Sequence, residues 1–142
     1  MSKQIDPRGP RFGAAITTVV IALALVTLPS PIAVVLISIQ LVVHAIGAFI
    51  GLSAQPYGIL YRKLVQPRLA KPTELEDEAP PKFAQLVGFI FAVAALIALA
   101  LGQTGAAQII VALHLAASFL NAAFNFCLGC QMYLIGKRIT SN

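Results

Sequence analysis

Hydrophobic and polar positions along the chain sort into long blocks, not into the short alternation of a soluble domain. Two uncharged apolar stretches, 12–61 and 83–135, lie between three charged zones. A helix crosses the hydrocarbon core of a bilayer with ~20 residues, so each stretch has room for two crossings. Each is also broken near its middle. Leu28-Pro29-Ser30-Pro31 removes two amide donors and stops a helix. Gly102-Gln103-Thr104-Gly105 is a turn signal. The pattern predicts an all-α membrane protein of one domain, 1–142, with four transmembrane helices as two tandem hairpins. Their expected bounds are about 13–28, 32–52, 83–102 and 106–126, with a loop over 53–82.

Charge adds an orientation. All ten Lys and Arg residues fall in the three zones outside the apolar stretches, and neither hairpin tip carries a charge. The positive-inside rule then predicts a multi-pass protein of the cell inner (plasma) membrane, with both termini and the central loop cytoplasmic. A composition 58% hydrophobic and 11% charged is too apolar for a soluble domain. The net charge of +5 follows from this asymmetry and suits anionic lipid headgroups better than nucleic acid. No small-residue cleavage site precedes the Leu28–Pro31 break, which argues against a removed signal peptide.

The two hairpins resemble each other. Pro10-Arg11-Phe12 opens the first and Pro81-Lys82-Phe83 the second, and His-x4-Phe recurs as His44/Phe49 and His114/Phe119. From opening proline to histidine is 34 residues in one half and 33 in the other. Such a parallel repeat, about an axis along the membrane normal, would put His44 and His114 at similar depth.

Helical spacing gathers polar residues into two stripes. Gln40, His44, Gly47 and Gly51 share one face of the second helix, and His114, Ser118, Asn121 and Asn125 share one face of the fourth. Polar groups in hydrocarbon need partners, so both stripes are expected to face protein. Two readings are open. The stripes either hold the bundle together by hydrogen bonds, or the two histidines bind haem iron, another metal or a quinone. Gly47-x3-Gly51 also permits close helix approach and is one candidate contact for a homodimer.

Cys127 and Cys130 form Cys-Leu-Gly-Cys just past the fourth helix, ahead of Lys137 and Arg138. A break at Gly129 would start a new helix over Gln131–Ile139, whose N-terminus and cations would favour a thiolate. One Cys-x-x-Cys supplies only two of a structural zinc's four ligands. Residue 131 is Gln, so the Cys-x-x-Cys-His signature of attached haem is absent. A structural disulfide does not suit a reducing cytoplasm. A reversible dithiol or persulfide centre, shared metal binding and plain packing stay open for the pair.

In the central loop, 56–66 reads as an interfacial helix with Tyr57 and Tyr61 at headgroup level and Arg62 and Lys63 snorkelling. Thr73 with Glu76 has the spacing of a capping box within an acidic, proline-bounded linker.

Three segments, Asp6-Pro7-Arg8-Gly9-Pro10-Arg11-Phe12, Glu76-Asp77-Glu78-Ala79-Pro80-Pro81-Lys82-Phe83-Ala84-Gln85 and the run from Phe119 to Leu134 around Cys-Leu-Gly-Cys, resemble the bacterial membrane family called domain of unknown function 4395. The resemblance covers nearly the whole chain. That family commonly has glycine in the place of Asn125 and an acid in the place of Gln131, a carboxylate this chain lacks beside Cys130. The family has no established activity. Its members often accompany thioredoxin-like proteins and rhodanese-type sulfurtransferases, and the resemblance therefore implies thiol or sulfur chemistry at Cys127 and Cys130, with Asn121 in support.

Three functions follow as expectations. The leading one is a membrane-bound thiol redox or sulfur-relay protein whose cytoplasm-facing cysteines exchange electrons or sulfur with such a partner. A second is a permease, or permease subunit, for a small sulfur compound, with its path along Gln40, His44, His114 and Asn121. The third is a membrane scaffold for sulfur enzymes.

Overall fold

The computed structural model describes residues 3–141. In chain order the helices are α1 (Arg8–Thr27), α2 (Pro31–Ala45), α3 (Pro56–Leu60), α4 (Ala79–Ala100), α5 (Thr104–Phe124) and α6 (Leu128–Thr140). A π-helical turn, Ile46–Ile50, extends α2, and a second, Tyr61–Val65, extends α3. Four of these helices, α1, α2 as extended, α4 and α5, are long and apolar enough to cross a membrane.

The long helices start earlier than the sequence pattern predicts, at 8 and 79 against about 13 and 83. The reason is proline. Pro10, Pro80 and Pro81 lie inside first turns, where the missing amide costs nothing because those amides have no acceptor within the helix. Helix ends fall on residues that leave right-handed space. Gly51 has φ 143°, Gly102 φ 74° and Asn125 φ 55°. Asparagine tolerates this left-handed conformation better than most residues, and glycine, common here in the resembling family, adopts it freely.

α1 packs against α2 and α5, and α4 packs against the same two, so α1 faces α4 and α2 faces α5 across the bundle. This is the arrangement a two-fold repeat of hairpins produces. The short helices obey it too, since α3 lies on α1 and α6 on α4. The histidines lie 70 residues apart, and matched positions before and after them lie 71 apart: Gly13 with Ala84, Thr17 with Gly88, Tyr57 with Leu128 and Gly58 with Gly129.

Towards the hairpin tips the bundle is closed by Ile21, Ala24, Ile37, Ala92, Ala95 and Val111. Alanine at so many contacts brings backbones close, which is how helices gain packing where lipid offers no hydrophobic drive. Val26, Ile32, Ile39, Ile97 and Ile109 lie exposed on the outer surface, as lipid-facing side chains would.

The other end is tied by polar groups. β1 (Gln4–Ile5) pairs antiparallel with β2 (Glu76–Asp77), so part of the acidic linker forms a short strand and the Thr73–Glu76 capping-box spacing starts no helix there. Asp6 accepts hydrogen bonds from Arg8, Tyr61 and Gln66. Arg11 donates to the carbonyls of Ala122 and Ala123 at 3.0 and 3.3 Å, oxygens that a helix end leaves free. Tyr57 and Tyr61 are both buried, against the headgroup position expected of them. Each hydroxyl finds a partner inside the fold, which offsets its removal from water.

Candidate functional site

The polar stripe of α2 meets the polar stripe of α5 on the bundle axis. His44 Nε2 lies 3.1 Å from His114 Nε2, and both rings are buried. Around them is a network that the stripes alone did not reveal. Gln85 of α4 presents its Oε1 to His44 Nδ1 at 2.8 Å and also accepts from Gln55. Gln40 donates to Thr17 Oγ1 at 2.9 Å and to His44 Nε2 at 3.2 Å, and accepts from the Tyr57 hydroxyl at 2.9 Å.

These partners assign the protons. With the Gln85 oxygen facing it, His44 Nδ1 is the donor and His44 Nε2 is bare. His44 Nε2 accepts from Gln40, so the proton between the two rings sits on His114 Nε2. Both nitrogens of His44 are then used. His114 Nδ1 has no hydrogen-bond partner among the described residues. The direct ring contact also bears on haem, whose axial imidazoles stand on opposite faces of a macrocycle. Here the ring centroids are 5.1 Å apart and no porphyrin plane fits between them.

Close packing holds the pair. A Cβ on Gly88 would come within 2.6 Å of the His44 ring, so only glycine admits the imidazole there. Phe91 stacks on His114 with ring centroids 5.8 Å apart. Gly47 is covered from within the chain, since a Cβ there would lie 2.8 Å from Gln85 Cγ. The expected dimer face at Gly47-x3-Gly51 is therefore taken up at Gly47 by α4.

The remaining stripe residues divide. Ser118 is buried but turns its hydroxyl back to the His114 carbonyl at 2.9 Å, as serine does in an apolar helix. Asn121 is half-buried on a cavity wall. Asn125 is exposed and ends α5, so it does not join the polar interior.

That turn at Asn125 places the cysteines. The chain breaks there and not at Gly129, and α6 begins at Leu128 with Cys127 as its N-cap. Cys127 Sγ accepts the Cys130 amide at 3.2 Å. The two sulfurs are joined as a disulfide, where the sequence had favoured a reversible pair over a fixed bond. Gly129 seats α6 on α4, because a Cβ on it would lie 2.6 Å from Ala84 Cα.

A cavity of about 260 Å³ runs between α1, α4, α5 and the start of α6. His44 and His114 lie on its wall together with Gly88, Phe91, Asn121 and Cys127. Histidines and cysteine thus open on one space, although the sequence left them as separate sites. A larger cavity of about 390 Å³ lies at the charged end beside Lys3, Arg62 and Tyr61. Gln85 lies on the wall of both. The smaller one holds the reactive groups.

Near that larger cavity the titration of two groups is displaced. Burial alone would raise the Asp6 carboxyl, but hydrogen bonds from Arg8, Tyr61 and Gln66 outweigh it and hold it well below the usual carboxylate range. Burial, then the bond to Asp6 and its charge, push the Tyr61 phenol up to about 12.

Residues 5–138 match the model of the family described as domain of unknown function (DUF4395), and the chain belongs to that family. No curated protein and no solved structure matches it.

Proposed function

We propose that this member of the family is a membrane-bound thiol–disulfide oxidoreductase that works through Cys127 and Cys130 with a dithiol protein partner. The observation that carries the reading is the position of Cys127. It caps a helix of 13 residues, accepts an amide proton from its own first turn, and lines a cavity inside the bundle. A helix N-terminus stabilises negative charge, so Cys127 is the sulfur best able to leave as a thiolate. Cys130 is half-buried and lies off that cavity wall, and it is the sulfur a partner thiolate attacks. Cys127 then leaves, and the partner's second thiol resolves the mixed disulfide. The cations gathered at this end favour a cytoplasmic position in an inner membrane, with a thioredoxin-like protein as the partner class.

The test is trapping in native membranes. A Cys127→Ser protein keeps Cys130 as a free thiol that attacks the oxidised partner's disulfide in the reverse exchange, displacing one partner thiolate. It is expected to accumulate a disulfide-linked adduct at Cys130, whereas Cys130→Ser is not. Absence of any adduct in both variants refutes the proposal. Intact mass showing one added sulfur atom on either cysteine would replace electron exchange with sulfur relay.

A further inference from the structure

We infer that the cavity between Cys127 and His114 binds the ring of a lipid-soluble quinone, which takes the electrons of the cysteine pair. The inference rests on the oxidoreductase reading and names the acceptor that reading lacks. It starts from the repeat. In the first half, Tyr57 follows the hairpin and enters the bundle, its ring against Gly13 and its hydroxyl on Gln40. Seventy-one residues later is Leu128, an exposed side chain that lines the space together with Ala84, the counterpart of Gly13. One half of the repeat is filled by a phenol. The matching place in the other half is open space, and Leu128 and Ala84 lie on its wall.

The chemistry of that space selects a ligand. Its volume of about 260 Å³ lies below the 300–1,000 Å³ of pockets for drug-sized molecules, and suits one substituted ring. Phe91 and Leu113 make the walls apolar, and among the described residues no Lys, Arg, Asp or Glu lines them, which disfavours an anionic ligand. Among the described residues His114 Nδ1 has no partner, and its Nε2 begins a hydrogen-bonded chain through His44 to Gln85 at the charged-end cavity. The bare His114 Nδ1 can take a proton from a cysteine thiol and hand it to a ring oxygen. Leu113 and Met132 line the space and are also exposed on the outer surface, so a prenyl tail can remain outside.

The step balances. Two thiols, Cys127 and Cys130, lose two electrons and two protons and form one S–S bond. The quinone gains two electrons and two protons and becomes the hydroquinone. With the partner included, one dithiol becomes a disulfide for each hydroquinone formed.

The experiment separates ligand binding from thiol exchange. A Cys127→Ser/Cys130→Ser protein in nanodiscs is irradiated with an azido-benzoquinone, with decylubiquinone as competitor. Label is expected on peptides spanning 84–91 and 113–121, and decylubiquinone should displace it. Leu128→Tyr, which supplies the missing phenol, should reduce labelling at least tenfold. His114→Leu is the second variant, with the same expectation, should Leu128→Tyr fail to fold. Label spread over lipid-facing peptides without competition, or displaced by thiosulfate and not by decylubiquinone, would overturn the inference. Loss of competed labelling while the Cys130 adduct still forms overturns the quinone alone. Wild-type protein given dithiothreitol should convert decylubiquinone to its hydroquinone, and the double serine variant should not.

Discussion

His44 Nε2 and His114 Nε2 face each other at 3.1 Å from diagonally opposed helices, with one proton between them. Two cations at that distance would repel strongly in a low-dielectric interior, so the pair is a neutral relay. Removing His44 leaves Gln85, Gln40 and His114 without their shared partner. His44→Leu is expected to cost about 1–3 kcal/mol from unsatisfied buried groups. Unfolding by SDS titration checks this, and unchanged stability would mean the contact is not made.

Gly88 and His44 are coupled by contact. Gly88→Ala drives a methyl into the imidazole and is expected to cost about 1–3 kcal/mol as overpacking. The loss should shrink in a His44→Ala background, where the ring is gone. Additive losses in that cycle would remove the proposed clash.

Gly129 plays the corresponding part for the cysteines. Gly129→Ala is expected to lift the start of α6 from Ala84 and expose Cys127. After reduction, Cys127 alkylation should speed up several-fold, and Ala84→Gly should partly reverse the change. Unaltered alkylation would show that α6 is held elsewhere.

Asp6 gives a pH dependence with a definite sign. Its carboxyl is held below the ordinary value by its hydrogen bonds, so the folded state binds fewer protons. The stabilisation is fully present above about pH 3.9 and falls away as pH drops further. Tyr61 acts at the other end, contributing below about pH 10 and losing its contribution as pH rises through about 12. Asp6→Asn should flatten the acid limb of a stability–pH curve and leave neutral activity in place. A curve that keeps its acid limb would assign that limb to another group.

Much of the site was legible as a face and little of it as a set of contacts. Gln40, His44, His114 and Ser118 could be read inward because a charged or polar side chain in an apolar helix must find protein. Gln85, Gln55, Thr17 and Tyr57 were missed, although Thr17 and Gln85 are polar residues in apolar stretches and carried the same signal. Gly88 could have been found by aligning the halves, since it occupies the place of Thr17. Asn125 was assigned inward by its spacing. Its positive φ ends the helix before that spacing applies.

By itself the sequence determined four apolar helices in two hairpins, cations confined to one end, and two histidines at matching depth. Those features follow from block length, proline and glycine breaks and helical period, which are local. Only the tertiary structure decided that the histidines touch, that Gln85 fixes their protons, and that Cys127 opens on the same cavity. Helical period sets which residues share a face but not how far each helix is rotated or what it meets. The path of the chain after Phe124 depends on one left-handed residue and on the fit of Gly129 to Ala84, contacts between positions far apart in sequence.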